Sequence, residues 1–383
     1  MVIKDPLGLM KDPVLLAGDG LLALGLIDGR RSAPDIQCEL VRLRGGLPIG
    51  LDSITGLAAE LRSAFILDSD LFREEKGRMM SAYAALKVRP ACLAGKSYPA
   101  DAQELGRALD EILALAGNEA SGLPPEEITG LAAPHIDLEI GRRVYAKTYA
   151  PVRGLRPKAV ILLGTGHSLT DAPLSLTAKD FETPLGLVRT DKALVKKLRA
   201  LGGEAVEPFD FSHKQEHSLE LELLFLQRVF GSGFRLVPVL CGSLSRELHR
   251  VRRAGELPGV ARVLEALAEW RTGLGSDVLV VAAVDLSHVG PKFGHDREAS
   301  ELLPEAKRHD RALLDALGRM DAGAFWEETA RVDDRFNVCG FSSLAFLLEI
   351  LPRGRGWLLD YDVWREEPTR SAVSFAGLAF TKT

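Results

Sequence analysis

The chain has 383 residues, 46% hydrophobic and 26% charged, with 37 glycines and 20 prolines, so at roughly 150 residues per domain it calls for two or three folded domains and excludes disordered or collagen-like organisation. A net charge of −5, from 48 basic and 53 acidic residues mixed along the chain, excludes a nucleic-acid backbone as principal partner. The four scattered cysteines, Cys38, Cys92, Cys241 and Cys339, exclude a disulfide framework and read as reduced thiols.

The opening stretch MVIKDPLGLMKDPVLLAGDG sets Asp5, Asp12 and Asp19 where a secretory signal needs unbroken apolar residues, and no window reaches the length of a membrane span. The expected location is cytoplasmic, with no membrane partner. Residues 1–75 read as a small helical module. An apolar run ends at the Asp28-Gly29 turn, a helix with Ile36, Leu40 and Leu43 on one face stops at Gly45-Gly46, and a second helix carries Ile54, Leu57, Ala58, Leu61 and Phe65, with Asp52 or Ser53 as its cap. This predicts a helix-turn-helix or winged-helix type of module. Its second helix bears Arg62 beside the acidic Glu60 and Asp68, too little positive charge for a phosphate-contacting face, so packing or partner docking is its expected role.

A charged helical linker is expected over 76–88, within LFREEKGRMMSAYAALKVRPA. From residue 89 to 383 the texture changes. The runs KAVILLG, FRLVPVLCG and DVLVVAAVDLSH alternate with amphipathic segments, which predicts a layered α/β domain, and GWLLDYDVW with SAVSFAGLAF predicts an antiparallel pair at its edge.

In such sheets, polar side chains just past the carboxyl ends of strands converge on one crevice. Three of the eight histidines follow strand-like runs: His135 after ITGLAAP, His167 after KAVILLGTG and His288 after DVLVVAAVDLS. Asp137 is placed to orient His135. Cys339, in RFNVCGF, precedes a long apolar helix, and a helix N-terminus favours the thiolate that binds metals. A separate candidate lies in DFSHKQEHSLELE. A capping box of Ser212 and Gln215 would start a helix near His213 and set His213, Glu216, His217 and Glu220 on one face. The string also matches H-x-x-E-H, the helix of a zinc hydrolase with two histidine ligands and a glutamate base.

Taken together, RPACLAGKSYPAD, APHIDL, ILLGTGHS, FETPLGLVRTD, HKQEHSLELELLFLQ, LVPVLCGSLS, VVAAVDLSHVGPKFGHD, NVCGF and AVSFAGLAF resemble the Memo family, whose bacterial members are called AmmeMemoRadiSam system protein B. The resemblance runs from about Val88 to Thr383; the N-terminal pattern resembles the small PqqD-like domains. The Memo resemblance implies the fold of the class III extradiol dioxygenases and a metal site at His135, His167 and Cys339. It implies acid/base work at His288, with Asp285, Glu216 and His217 lining the crevice and Asp285 or Glu216 setting the His288 tautomer. It further implies an AMMECR-type protein and a radical-SAM enzyme as partners. Where many members read PHAGY this chain reads PHIDL, which alters the wall beside His135. Two imidazoles and a thiolate suit iron or copper, with zinc also accommodated. The expected function is a metal-binding, dioxygenase-like oxidoreductase of unknown substrate. The alternatives are the zinc hydrolase using His213, Glu216 and His217, and a non-catalytic module that binds a peptide or partner in the same crevice.

Overall fold

A computed structural model describes residues 2, 3, 5, 8–10, 12–117 and 122–382. The chain divides into two compact units, Met1–Ala85 and Leu86–Thr383. Strands β1 (Val2–Ile3) and β2 (Val14–Leu15) pair antiparallel ahead of helices α1 (Asp19–Leu26), α2 (Ala33–Leu43), α3 (Leu51–Ser63) and α4 (Asp70–Ala84). The apolar run before Asp28 is thus a helix, and Ala23, Ile36, Leu40 and Ile54 form the small core. Ser32 and Asp35 cap α2 reciprocally, each satisfying a backbone N–H of the other. Two expectations differ: Leu43 is exposed, and α3 starts after Gly50 with no side-chain cap from Asp52 or Ser53. Helix α4 belongs to this unit, so the division falls at Ala85 and most of the expected 76–88 linker is the end of a helix.

The second unit opens with β3 (Val88–Arg89) and α5 (Ala102–Ala114), followed by β4 (Ile128–Ala133), α6 (Leu138–Tyr149), β5 (Ala159–Thr165), β6 (Leu174–Leu176), β7 (Asp180–Thr183) and β8 (Gly186–Thr190). Next come α7 (Lys192–Gly202), α8 (Ser218–Phe230), β9 (Arg235–Cys241), α9 (Pro258–Leu274), β10 (Val278–Ala283) and β11 (His288–Val289). Helices α10 (Ala299–Gly318), α11 (Ala322–Arg331) and α12 (Phe341–Ile350) precede the final hairpin of β12 (Gly354–Glu366) and β13 (Ser371–Lys382).

These strands form one sheet in the order β11-β13-β4-β10-β5-β9-β8-β7-β3, with β12 added on β13 and β6 on β9. Strands β4, β10, β5 and β9 run parallel, and β13 joins β4 antiparallel. Their continuous apolar sequences follow from burial on both faces. Along β5, Ala159, Ile161 and Leu163 enter one core while Val160 and Leu162 enter the other. Helices α5, α6 and α8 cover the second face, and α7, α9 and α12 cover the first. Pro238 sits inside the central β9, where a missing N–H would ordinarily break the ladder. Its flank is open there: β8 pairs with β9 as far as Leu236, and β6 takes over from Val239. The hairpin at the edge matches the sequence expectation, with β12 as the outer strand.

Candidate metal centre

The sheet register builds the site. Ala283 of β10 lies opposite both Ala133 of β4 and Gly164 of β5, so the three strands end level. His135 and Asp285 therefore stand two residues past that line on neighbouring strands, and His167 stands three past it on the other side of β10. The fourth element is the loop before α12. It carries Asp333, Asp334 and Asn337 at φ 53°, 47° and 49°, the left-handed region that costs non-glycine residues energy. Asn337 steadies it by donating to the carbonyls of His288 (3.3 Å) and Phe293 (3.2 Å). Gly340 lets the loop reach the sheet, because a Cβ there would come within 2.7 Å of the Asp285 carbonyl oxygen and 2.5 Å of Val284 Cβ.

This arrangement brings His135, His167 and Cys339 together, with one donor atom of each within 4.8 Å of the others. Cys339 Sγ lies 3.5 Å from His135 Nε2. A tetrahedral ion with bonds of about 2.0–2.3 Å holds its donors about 3.3–3.8 Å apart, so the spacing suits a shared cation. Asp285, His288 and Cys339 satisfy the same 4.8 Å limit. Thr165 Oγ1 donates to the Cys339 carbonyl at 3.2 Å and fixes the loop from β5.

Glu216 is the electrostatic centre of the neighbouring wall. Its carboxylate accepts the backbone N–H groups of His167 (2.9 Å) and Ser218 (3.0 Å), and its Oε1 stands 3.0 Å from His167 Nδ1 and 3.3 Å from His217 Nδ1. Burial would raise its pKa, but the His167 hydrogen bond and the two imidazole charges outweigh that and hold it well below the usual carboxylate range. Oε1 thus faces both rings while Oε2 takes the His167 backbone N–H, and His167, Glu216 and His217 form a further group whose donor atoms lie within 4.8 Å of one another. Glu216 turns the Nδ1 edges of His167 and His217 toward itself and leaves Nε2 of each for the cavity. The His167 and His217 rings stack at 4.6 Å, and His135 meets both edge-on at 5.1 and 5.4 Å.

Burial is the largest single influence on the other groups. It lowers His135 well below the ordinary imidazole value, with the His167 and His217 charges adding to the effect. His288 falls to about 4, chiefly through burial, against the Leu286 carbonyl that accepts from its Nδ1 at 3.0 Å. His167 moves the other way, because the hydrogen bond and charge of Glu216 outweigh its burial. Asp285 is pushed up to about 7 by burial, opposed by the hydrogen bond from the His135 N–H at 3.2 Å.

Several expected roles change. Asp137 caps α6 through the Glu139 N–H, and the acid beside the His135 ring is Asp285, 3.7 Å from Nε2. The Leu286 carbonyl, in place of Asp285 or Glu216, fixes the His288 ring. The Cys339 thiol is pushed well above its ordinary value by burial and by Asp285, so the helix N-terminus does not make it a thiolate by itself. The hydrolase helix is absent: residues 211–213 form a 3-10 turn, α8 begins only at Ser218, and Ser212 donates to Glu207 instead of capping. His213 is fully buried with its ring edge toward Phe181 and is not among the metal-capable groups of the described residues. At this turn sits Arg89, a residue missed in the sequence. It donates Nε to the His213 carbonyl (2.7 Å) and Nη2 to the Glu216 carbonyl (2.6 Å), two acceptors that a continuous helix would have used.

The donors open on a cavity of about 980 Å³. Ile136, Leu169, Phe293, Phe341 and Trp364 supply apolar wall, while His217, His288, Arg246 and Asn337 are among its polar groups. A second missed residue supports the His288 side: Asp310 of α10 accepts from Ser287 (2.6 Å), Ser374 (2.6 Å) and Tyr361 (2.8 Å), pinning the strand end next to His288.

Comparison with known proteins follows this geometry. A family model described as Memo-like protein matches residues 89–379. A MEMO1 family protein of Aquifex aeolicus is 28% identical over 99% of this chain and 95% of its own length. One from Thermus thermophilus is 28% identical over 90% and 97%, and one from Ignicoccus hospitalis 30% identical over 66% and 82%. Among solved structures, an uncharacterized Escherichia coli protein, JW3007, aligns with 66% of this chain and 99% of its own at 12% identity and a TM-score of 0.37, a level that carries no argument. No helix of the described residues is long and apolar enough to cross a membrane.

Proposed function

Because the chain belongs to the family of Memo-like proteins, whose model matches residues 89–379 of its second unit, we propose that it works through a transition-metal ion held by His135, His167 and Cys339. The observation that carries this reading is the meeting of two imidazoles and a thiol from three distant loops, at spacings that suit one ion. The donor set fits the group: His135 is kept neutral by burial, the form that coordinates, and Glu216 leaves His167 Nε2 open. The high pKa of Cys339 belongs to the metal-free thiol; a cation in bonding reach favours its thiolate and releases a proton. Mixed imidazole and thiolate donors select iron, copper or zinc over calcium or magnesium. Bound there, iron or copper supplies Lewis acidity and one-electron chemistry, and zinc the first of these alone.

In this reading the chain is a dioxygenase-like oxidoreductase of a small organic substrate taken up in the cavity, as the extradiol resemblance implies. His288 is neutral at physiological pH, its Nδ1–H fixed on Leu286, so its Nε2 can accept a proton from a bound substrate. His217 offers a second ring nitrogen, steadied by Glu216. Metal analysis of anaerobically purified protein tests the reading. Wild type should carry iron or copper near one per chain, and His135→Ala and Cys339→Ser should each lose it. Full retention in both folded variants would reject the site.

From the resemblance of its sequence alone, we further propose a role beside an AMMECR-type protein and a radical-SAM enzyme, with the helical first unit, PqqD-like in its sequence pattern, as the docking element. Co-elution of the three full-length chains is the expected outcome in gel filtration, and separate elution at every ratio would remove this part of the proposal.

A further inference from the structure

Behind the wall of the cavity lies a buried ion pair that no chemistry described above uses. Arg89 is 1% exposed and Glu220 is 0% exposed. Arg89 Nη1 is paired with Glu220 Oε2. Glu220 also accepts from the backbone N–H groups of Cys92 (2.9 Å) and Leu93 (2.9 Å) and from the Tyr98 hydroxyl. Arg89 spends its other donors on the carbonyls of His213 and Glu216 and on Cys92 Sγ at 3.3 Å, and its guanidinium lies 5.2 Å from the Phe181 ring centroid.

A buried ion pair is a poor source of net stability, since desolvation offsets most of the Coulomb attraction; its best-attested benefit is to fix one geometry among several. Here the fixed geometry is specific. The two carbonyls gripped by Arg89 bracket residues 213–216, and the second belongs to Glu216, whose carboxylate orients His167 and His217. Without Arg89 those carbonyls would be free to accept helical N–H groups, α8 would extend toward its N-terminus, and the Glu216 carboxylate would rotate away from the rings. The same grip holds the 89–98 segment, which contributes Leu93 and Ser97 to the cavity lining. A lysine has one point charge and could not serve both carbonyls and the carboxylate in this planar fork.

We propose that Arg89, locked by Glu220, is a positioning residue for the metal centre: it holds the chain in the non-helical form that aims Glu216 at His167 and His217. The proposal rests on the metal-site reading, so its test needs one readout with metal and one without. In the full chain, Arg89→Lys and Glu220→Gln should each weaken Co(II) binding by about 10-fold or more and alter the ligand-field bands of the bound ion, as loss of groups behind metal ligands does. Without metal, and above the imidazole titration range, ¹⁵N spectra of labelled histidines should show the Nδ1–H tautomer at His167 and His217 in wild type and a tautomer mixture in both variants. The matched control is Glu222→Gln, two residues along the same helix, fully buried and bonded to Tyr149, where binding and tautomers should stay as in wild type. Wild-type affinity and tautomers in folded Arg89→Lys or Glu220→Gln protein would overturn the proposal. Absence of Co(II) binding by wild type, with the tautomers changed as expected, would instead reject the metal reading and leave Arg89 in its role.

Discussion

His213 and His217 lie four residues apart in one short sequence motif, yet they occupy opposite kinds of environment. His217 opens onto the cavity, 3.3 Å from an ionised carboxylate and stacked on His167. His213 is sealed in the interior, with Asp210 as the acid that most offsets the effect of burial on its ring. What separates them is the chain between them, which Arg89 holds out of helical form. A motif defined by spacing on a helix has meaning only where the helix exists, and here a guanidinium from the start of the domain removes it. The two rings should accordingly respond to different perturbations: His213 to acid, through stability, and the His217 side to changes at Glu216, through metal affinity.

The larger effect is expected at His213. Its folded-state pKa is lowered from 6.5 to about 4, first by burial and against the pull of Asp210. Between those values the unfolded chain binds a proton that the folded chain does not. The contribution to stability is therefore complete above about pH 6.5 and is lost as pH falls toward 4, by up to about 3 kcal/mol. Urea midpoints of the full chain across this window should fall less steeply in His213→Gln than in wild type. Parallel pH profiles would show that the buried ring does not titrate in this way and would remove the contrast.

How much of this was legible in the sequence depends on where each residue's partners lie. The convergence of these loops was readable because uniform apolar strands end abruptly in Pro-His, Gly-Thr-Gly-His and Asp-Leu-Ser-His, and a parallel sheet places such ends level. Cys339 was readable from its glycine and the apolar helix behind it. Partners across the sheet were not. Sequence favoured Asp137 as the acid beside His135 because it is two residues away, whereas the register delivers Asp285 from the neighbouring strand. The start of α8 was misjudged for the same reason: Ser212 and Gln215 have capping-box spacing, but local propensity lost to Arg89 and to the Glu216 carboxylate, which itself takes the Ser218 N–H. Arg89 left one trace in sequence, a cation set between Val88 and Pro90 in KVRPACL, and nothing in that string names its acceptors.

The smaller effect is expected at Glu216, and it sharpens the comparison because charge can be removed there with little change of shape. Glu216→Gln keeps one carbonyl oxygen, which can go on accepting from His167 Nδ1 and the Ser218 N–H, with His217 Nδ1 3.3 Å away. Its new NH2 group then faces the His167 backbone N–H across the 2.9 Å now spanned by a hydrogen bond, donor against donor. Either that N–H goes unpaired or the amide flips and releases both rings. Whichever occurs, the His167 ring loses its fixed tautomer and the negative charge that raises its basicity, and outer partners of metal ligands are worth about 10–100-fold in affinity. In free energy that is about 1.4–2.7 kcal/mol. His213→Gln, in the same motif, should leave metal affinity at the wild-type value. Competition titrations of both variants with a chromophoric chelator measure the difference directly. Equal affinities would mean that the carboxylate does not aim the rings, and that the contrast between the two ends of the motif is one of burial alone.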